Sequence, residues 1–143
     1  MLLTAEMIQQ QIRIDDDYKE LTCPQGTLMR YGYEGFGYTA RLDLESGEGF
    51  FVMAPNEFVQ FRTLETFHIP GNVLGLFYPK SSYSRRGLVL ATSPLEPGWS
   101  GKITMAWHNL SGRAVTLYNR QGIVQVTFWR SDAAPLRTYA GQW

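Results

Sequence analysis

Two polar stretches carry the residue types that could do chemistry. The first is "YPKSSYSRRGL", Tyr78 to Leu88, which gathers Lys80, Ser81, Ser82, Ser84, Arg85 and Arg86 between two apolar runs. Hydroxyls beside cations suit either a solvated turn or a local anion site, and the cluster alone does not separate the two. The second is "LEPGWSG", where Pro97-Gly98 makes a tight turn that sets the approach of Glu96 and Trp99. Gln125 sits inside the apolar "IVQV". Burying its amide unpaired would cost about 1–3 kcal/mol, so a hydrogen-bonded role is expected. His68, His108 and the lone Cys23 are too few for a zinc site and leave no internal disulfide. Cys23 reads as a small buried hydrophobe rather than a nucleophile.

The elements that must position these residues are mostly strands. Thr4 offers an N-cap and Glu6 a first-turn anion for a short helix in "MLLTAEMIQQQI". This stretch lacks the basic start, apolar centre and cleavage site of a signal peptide. "FFVMAP", "EFVQFRTLETFHI", "NVLGLFY", "GLVLAT", "KITMAWH", "AVTLYN" and "IVQVTFW" then follow at short spacing, divided by "IPGN", "EPGWSG" and "NLSGR". Such a series reads as a sandwich, jelly roll or barrel, and residues 1–143 read as one mainly β domain. Thirteen basic residues balance thirteen acidic ones, so no global field draws the chain to nucleic acid or to an anionic membrane. No apolar run approaches the roughly 20 residues of a membrane span. A cytoplasmic protein is expected.

Several motifs in order point to one superfamily. "MLLTAEMI", "GFGYTARLD", "KSSYSRRGL", "LEPGWSGKITMAWHN", "RQGIVQVTF" and "TYAGQW" together resemble the dCTP deaminase and trimeric dUTPase superfamily, more closely its deaminase branch. The resemblance covers nearly the whole chain. It implies a dUTPase-like β-barrel or distorted jelly roll with a short N-terminal helix, assembled as a homotrimer that binds a deoxynucleoside triphosphate of the dCTP or dUTP class at subunit boundaries.

By that resemblance Lys80, Ser81, Ser82 and Arg85 are phosphate-side residues. Hydroxyls and turn N–H groups donate to phosphate oxygens there while a cation offsets their charge. Arg86 is a surface charge, since the family has an apolar residue at this position. Leu95 and Glu96 fall beside sugar and base, and Trp99 either packs on deoxyribose or fills a core corner. Gln125 serves the base or the trimer, and Tyr139 and Gln142 match the Tyr-x-Gly-Gln segment of the family's tail. No protein-held metal is implied, although Mg²⁺ can accompany the triphosphate.

Departures from the pattern bear on activity. The deaminases carry a Glu one strand after the Pro-Gly-Trp turn to shuttle a proton, and this chain has Ala106. A methyl group forfeits a factor of roughly 10²–10⁴ in rate. His108 shares a face with Ala106 by alternation, as a replacement base or as a structural histidine. Thr39 stands where the family has an acidic residue, Lys80 replaces a forked Arg with a point charge, and "GLVLATSPLEPGW" is shorter than its counterpart. Three functions remain open: a dCTP deaminase-like nucleotide binder, an inactive trimer used for sensing, regulation or assembly, and a dUTPase-like pyrophosphohydrolase in which Glu96 orients water.

Overall fold

A computed structural model describes residues 1–16 and 31–133. Tyr139, Gln142 and Cys23 lie outside the described residues. Helix α1 (Ala5–Gln11) and strand β1 (Arg13–Asp15) open the chain. Next come β2 (Gly32–Glu34), β3 (Gly37–Asp43), β4 (Phe50–Met53), β5 (Phe58–Thr63), β6 (Thr66–His68) and β7 (Val73–Pro79), leading to the one-turn helix α2 (Ser81–Ser84). The order ends with β8 (Leu88–Ala91), β9 (Ser100–Gly101), β10 (Thr104–Asn109), β11 (Val115–Tyr118) and β12 (Gly122–Arg130).

Thr4 caps α1 as its sequence suggests, its hydroxyl accepting from the Met7 N–H at 3.4 Å. Only a short helix forms because Ile12 is already extended, and Ile8 is its buried anchor. The main sheet runs β7–β12–β3–β5–β10–β8 with β2 added to β3, and all its pairings are antiparallel. Its two ends approach each other where Leu95, beyond β8, bridges to Gly75 of β7 through paired N–H···O bonds of 2.9 and 2.7 Å. Gly75 is required at that contact, because a Cβ there would stand 2.9 Å from the Leu95 Cβ. The result is a nearly closed antiparallel barrel, as expected. Its core includes Leu3, Ile8, Tyr38, Phe67, Met105, Trp107 and Phe128. A smaller sheet, β1–β6–β9, and the pair β11–β4 complete the fold.

The sequence suggests one alternating run through "EFVQFRTLETFHI", but the structure divides it. β5 lies in the large sheet and β6 in the small one, and the break falls at Leu64-Glu65. The cause is Glu65, fully buried and opposed to fully buried Arg41. Where β5 leaves β3, the Arg41 N–H donates to both Glu65 carboxylate oxygens, at 3.1 and 3.0 Å, and the Arg41 Nε–H donates to Oε1 at 3.4 Å. Arg41 Nη2 also binds Asp16, and the guanidinium stacks 4.0 Å over the Tyr31 ring. Buried charges require this kind of partnership, since removing one member strands the other.

Burial pushes the Glu65 carboxyl up to about 7, against the pull of the Arg41 guanidinium and backbone N–H. The ordinary value is 4.5, so between these two pH values the native state holds a proton that the unfolded chain has lost. The stabilisation from this group is therefore complete below the lower value and declines as pH rises through the upper one. Thermal melts should show the advantage of wild type over Glu65→Gln shrinking as pH rises from about 5 to about 8. An advantage that grows over the same range would mean that pairing with Arg41 outweighs burial.

Candidate functional site

The Ser-rich stretch folds as an anchored turn. β7 ends at Pro79, the Lys80 N–H donates to the Ile123 carbonyl at 2.9 Å, and α2 begins with Lys80 as N-cap. Tyr83 is the one apolar-faced residue of the turn and is buried, and its hydroxyl accepts from the Gln121 side-chain amide. Gln121 is itself held by the Tyr118 N–H, which donates to its Oε1 at 3.0 Å. This inward anchor forces Ser81, Ser82, Ser84, Arg85 and Arg86 outward, all exposed, with Lys80 half-buried. Arg86 is a surface charge as expected, its guanidinium 5.5 Å from the Tyr83 ring centre.

The second constellation forms a cavity of about 310 Å³ lined in part by Phe77, Leu95, Glu96, Trp99, Lys102 and Thr104. The turn before β9 brings Leu95, Glu96 and Trp99 to one wall: the Trp99 N–H donates to the Glu96 carbonyl at 3.0 Å, and Gly98 has φ +86°. Leu95 is buried and Glu96 exposed. Trp99 is half-buried, packs on the core and also lines the cavity. Its ring also presses on Gly101, where a Cβ would lie 2.9 Å from the indole. Lys102 adds a cation that sequence motifs did not single out, with its ammonium 3.6 Å from Asp43.

The turn is tied down from below by another unanticipated set. Asp15 of β1, His68 of β6 and Ser100 of β9 stand side by side, with His68 Nε2 2.8 Å from Asp15 Oδ2 and His68 Nδ1 3.1 Å from Ser100 Oγ. The hydrogen bond from His68, followed by that from Arg13, holds the Asp15 carboxyl below its usual range. These residues are far apart in sequence, so only the pairing of three strands could reveal them.

Ala106 lies on the outward face of β10, opposite Gln60 of β5 and Ala91 of β8. His108 shares that face between Phe58 and Val89, and its Nε2 is 2.9 Å from Asn56 Oδ1. None of these immediate neighbours is a carboxylate. Thr39 is fully buried and donates to Glu34 Oε2 at 3.3 Å. Gln125 differs from its expectation. It is exposed, facing a shallow cavity of about 340 Å³ with Tyr78, Thr127, Glu34 and Phe36, because alternation along β12 turns it away from the core. The burial argument therefore does not apply to it.

One chain thus joins Leu95, Glu96 and Trp99 in a single cavity but sends Arg85 to a separate groove and Gln125 to a third concavity. Among the described residues, no group of three or more His, Cys, Asp or Glu side chains is placed to hold a metal ion, and no helix is long and apolar enough to cross a membrane.

Comparisons with known proteins agree with this architecture. The dCTP deaminase-like family profile matches residues 33–131. The dCTP deaminase of Pyrococcus horikoshii is 32% identical over 143 residues, 100% of this chain and 91% of its own length. That of Chromobacterium violaceum is 33% identical over 85% of this chain, a match spanning 62% of the relative's length. For the dCTP deaminase of Herpetosiphon aurantiacus the match is 34% identical over 87% of this chain and 65% of the relative. Among solved structures, a variant of the Staphylococcus bacteriophage 80alpha dUTPase with dUpNHpp superposes with a TM-score of 0.64 at 15% identity, covering 91% of this chain and 97% of that one. EIAV dUTPase gives a TM-score of 0.58 at 16% identity over 75% of this chain and 85% of that one, so both share the fold.

Tyr83→Phe tests the anchor of the Ser-rich turn. Leaving the Gln121 amide buried without this partner should cost about 1–3 kcal/mol in chemical denaturation, with faster amide exchange at Arg85 and Arg86. Unchanged stability and exchange would remove Tyr83 from the positioning of this turn.

Proposed function

Given that the chain belongs to the dCTP deaminase-like family, we propose that it binds a pyrimidine deoxynucleoside triphosphate without deaminating it efficiently. The observation that carries this reading is Ala106. It occupies the position at which the family resemblance implies the proton-shuttling Glu, and its sheet neighbours Gln60 and Ala91 offer no carboxylate in its place. Deamination of a cytosine ring needs water to lose a proton and the ring nitrogen to gain one, and a methyl group does neither. His108 lies two residues along on that face, and it is engaged with Asn56.

Support for binding comes from the cavity. Leu95 and Trp99 offer apolar walls and Glu96 and Lys102 polar groups, a mixture typical of small-molecule sites. Lys80, Ser81, Ser82 and Arg85 would hold the phosphates, with Gln125, Tyr139 and Gln142 as further contacts. Any Mg²⁺ would arrive on the triphosphate. Because the Ser-rich turn and the Glu96 cavity are separate in one chain, a complete site is best made between copies. Exposed Phe58 and Val89, adjoining Ala106 on an open sheet face, suit the interface of a homotrimer. Such a trimer, working in the cytoplasm, would sense or sequester nucleotide, regulate a partner or serve assembly.

Product analysis after long incubation with dCTP tests the proposal. The expected result is bound but unaltered dCTP, with Ala106→Glu gaining deamination by roughly a hundredfold or more over background. Deoxyuridine nucleotide formed by wild type at an ordinary enzymatic rate would overturn the reading, and released pyrophosphate would favour hydrolysis with water oriented by Glu96. Light scattering should find three copies at micromolar concentration; a monomer would remove the shared-site argument.

A further inference from the structure

Arg85 of the proposed nucleotide site also lines a groove beyond α2 whose other residues that site does not account for. The groove has a volume of about 620 Å³ and is lined in part by Arg85, Arg86, Ser111, Arg113, Thr116 and Tyr118. Three of the chain's cations meet here although the chain as a whole has zero formal net charge. No Asp or Glu lines the groove, and among the described residues no ion pair involves Arg85, Arg86 or Arg113. Several cations elsewhere in the fold are matched: Arg41 with Glu65 and Asp16, Arg62 with Glu45, and Lys102 with Asp43. Like charges gathered without counter-charge repel, so the groove gains free energy from an anion.

The groove is built rather than incidental. Gly87, at φ +89°, turns the chain out of α2 and meets Ser111 so closely that a Cβ would lie 2.8 Å from the Ser111 Cβ. The Leu110 N–H then donates to the Gly87 carbonyl at 2.9 Å. Buried Asn109 fixes the facing loop: its Oδ1 accepts from the Ser111 N–H at 3.0 Å and hydroxyl at 2.7 Å, and its Nδ2 donates to the Arg113 carbonyl at 2.8 Å. The Arg113 backbone is thus held across from α2, while Arg86 stacks on anchored Tyr83. A space this size lies within the roughly 300–1,000 Å³ of small-molecule sites and exceeds what one monatomic ion would fill. Guanidinium forks bind phosphoryl oxygens two at a time, which suits a linear chain of several phosphates.

We propose that Arg86 and Arg113, with Arg85, bind a condensed phosphate chain in this groove. The chain would come either from a nucleoside triphosphate, a source that rests on the function proposed above, or from a free inorganic polyphosphate. In both cases Arg113 is a binding residue lying outside the Ser-rich motif.

Titration calorimetry with tripolyphosphate, dCTP and deoxycytidine separates the sources and the two readings. For wild type, tripolyphosphate should bind, more weakly as salt rises. Arg113→Gln and Arg86→Gln should each weaken it by roughly tenfold or more, as for a lost charge-assisted bond, while Arg113→Lys keeps part of the affinity. Arg62→Gln, which removes an exposed cation elsewhere, should change nothing. If dCTP loses affinity in parallel while deoxycytidine does not, the chain is the nucleotide's own. Tripolyphosphate binding that depends on Arg113, with no binding of dCTP, supports the groove and overturns the nucleotide reading. Absence of tripolyphosphate binding to wild type, equal binding by Arg113→Gln, or an equal loss in Arg62→Gln overturns the groove, even where dCTP binds.

Discussion

The buried pair of Arg41 and Glu65 governs how the rest of the chain can run. β3 carries Arg41 at the point where its partner β5 departs, and the Glu65 carboxylate takes up the Arg41 N–H that would otherwise lie unpaired in the interior. Thr63 secures the same corner, its hydroxyl donating to the Glu65 carbonyl at 2.9 Å and accepting from the Ile103 N–H at 3.0 Å. Two buried ions cost several kcal/mol each to desolvate, so the arrangement persists only through multiple, well-directed hydrogen bonds. Its consequence is directional. The chain is bent out of the large sheet at Glu65 and enters the small one.

That bend reaches the candidate site. β6 follows it directly and carries His68, which stands between Asp15 and Ser100. Ser100 begins β9, immediately after the turn that presents Glu96 and Trp99 to the cavity. The barrel's closure contact, Leu95 on Gly75, supplies the other support of this turn. The cavity is therefore held by one buried ion pair, one cross-strand polar relay and one backbone bridge. Rigidity of this kind favours binding, because little conformational freedom remains to be lost when a ligand arrives.

The function proposed here separates binding from catalysis. The groups suited to recognition, whether apolar walls, hydroxyls or guanidinium forks without an ion pair among the described residues, are present on the surface and are braced by interior contacts. On the face of β10 where the proposal looks for a proton carrier, Ala106 stands between Gln60 and Ala91, and His108, two residues on, is engaged with Asn56. A protein can lose one acid–base group without losing its fold, since a half-buried surface position on a strand contributes little to packing. The family's architecture and a changed activity are therefore compatible.

Much was legible from sequence because it depends on local chemistry. Thr4 as N-cap, the Gly/Pro turns and the period-two strands follow from backbone preferences of neighbouring residues. The ordered motifs around Ser81 and Trp99 carry the family resemblance without any coordinates. What escaped depends on contacts between distant residues. Nothing near Glu65 in sequence announces that it pairs with Arg41, and so the apparent single strand across it breaks. Gln125 sits in an apolar run and yet faces out, because the register of β12 against β3 and β7 decides which alternate side chains meet the core. Arg113, Lys102 and the Asp15–His68–Ser100 set gain meaning only when strand pairing brings them beside Arg85, Glu96 and one another. Local preferences act over a few residues and can be read in one dimension. The meeting of charges and hydroxyls across 20 to 50 or more residues is decided by which sheet each strand joins, and only the closed barrel supplies that.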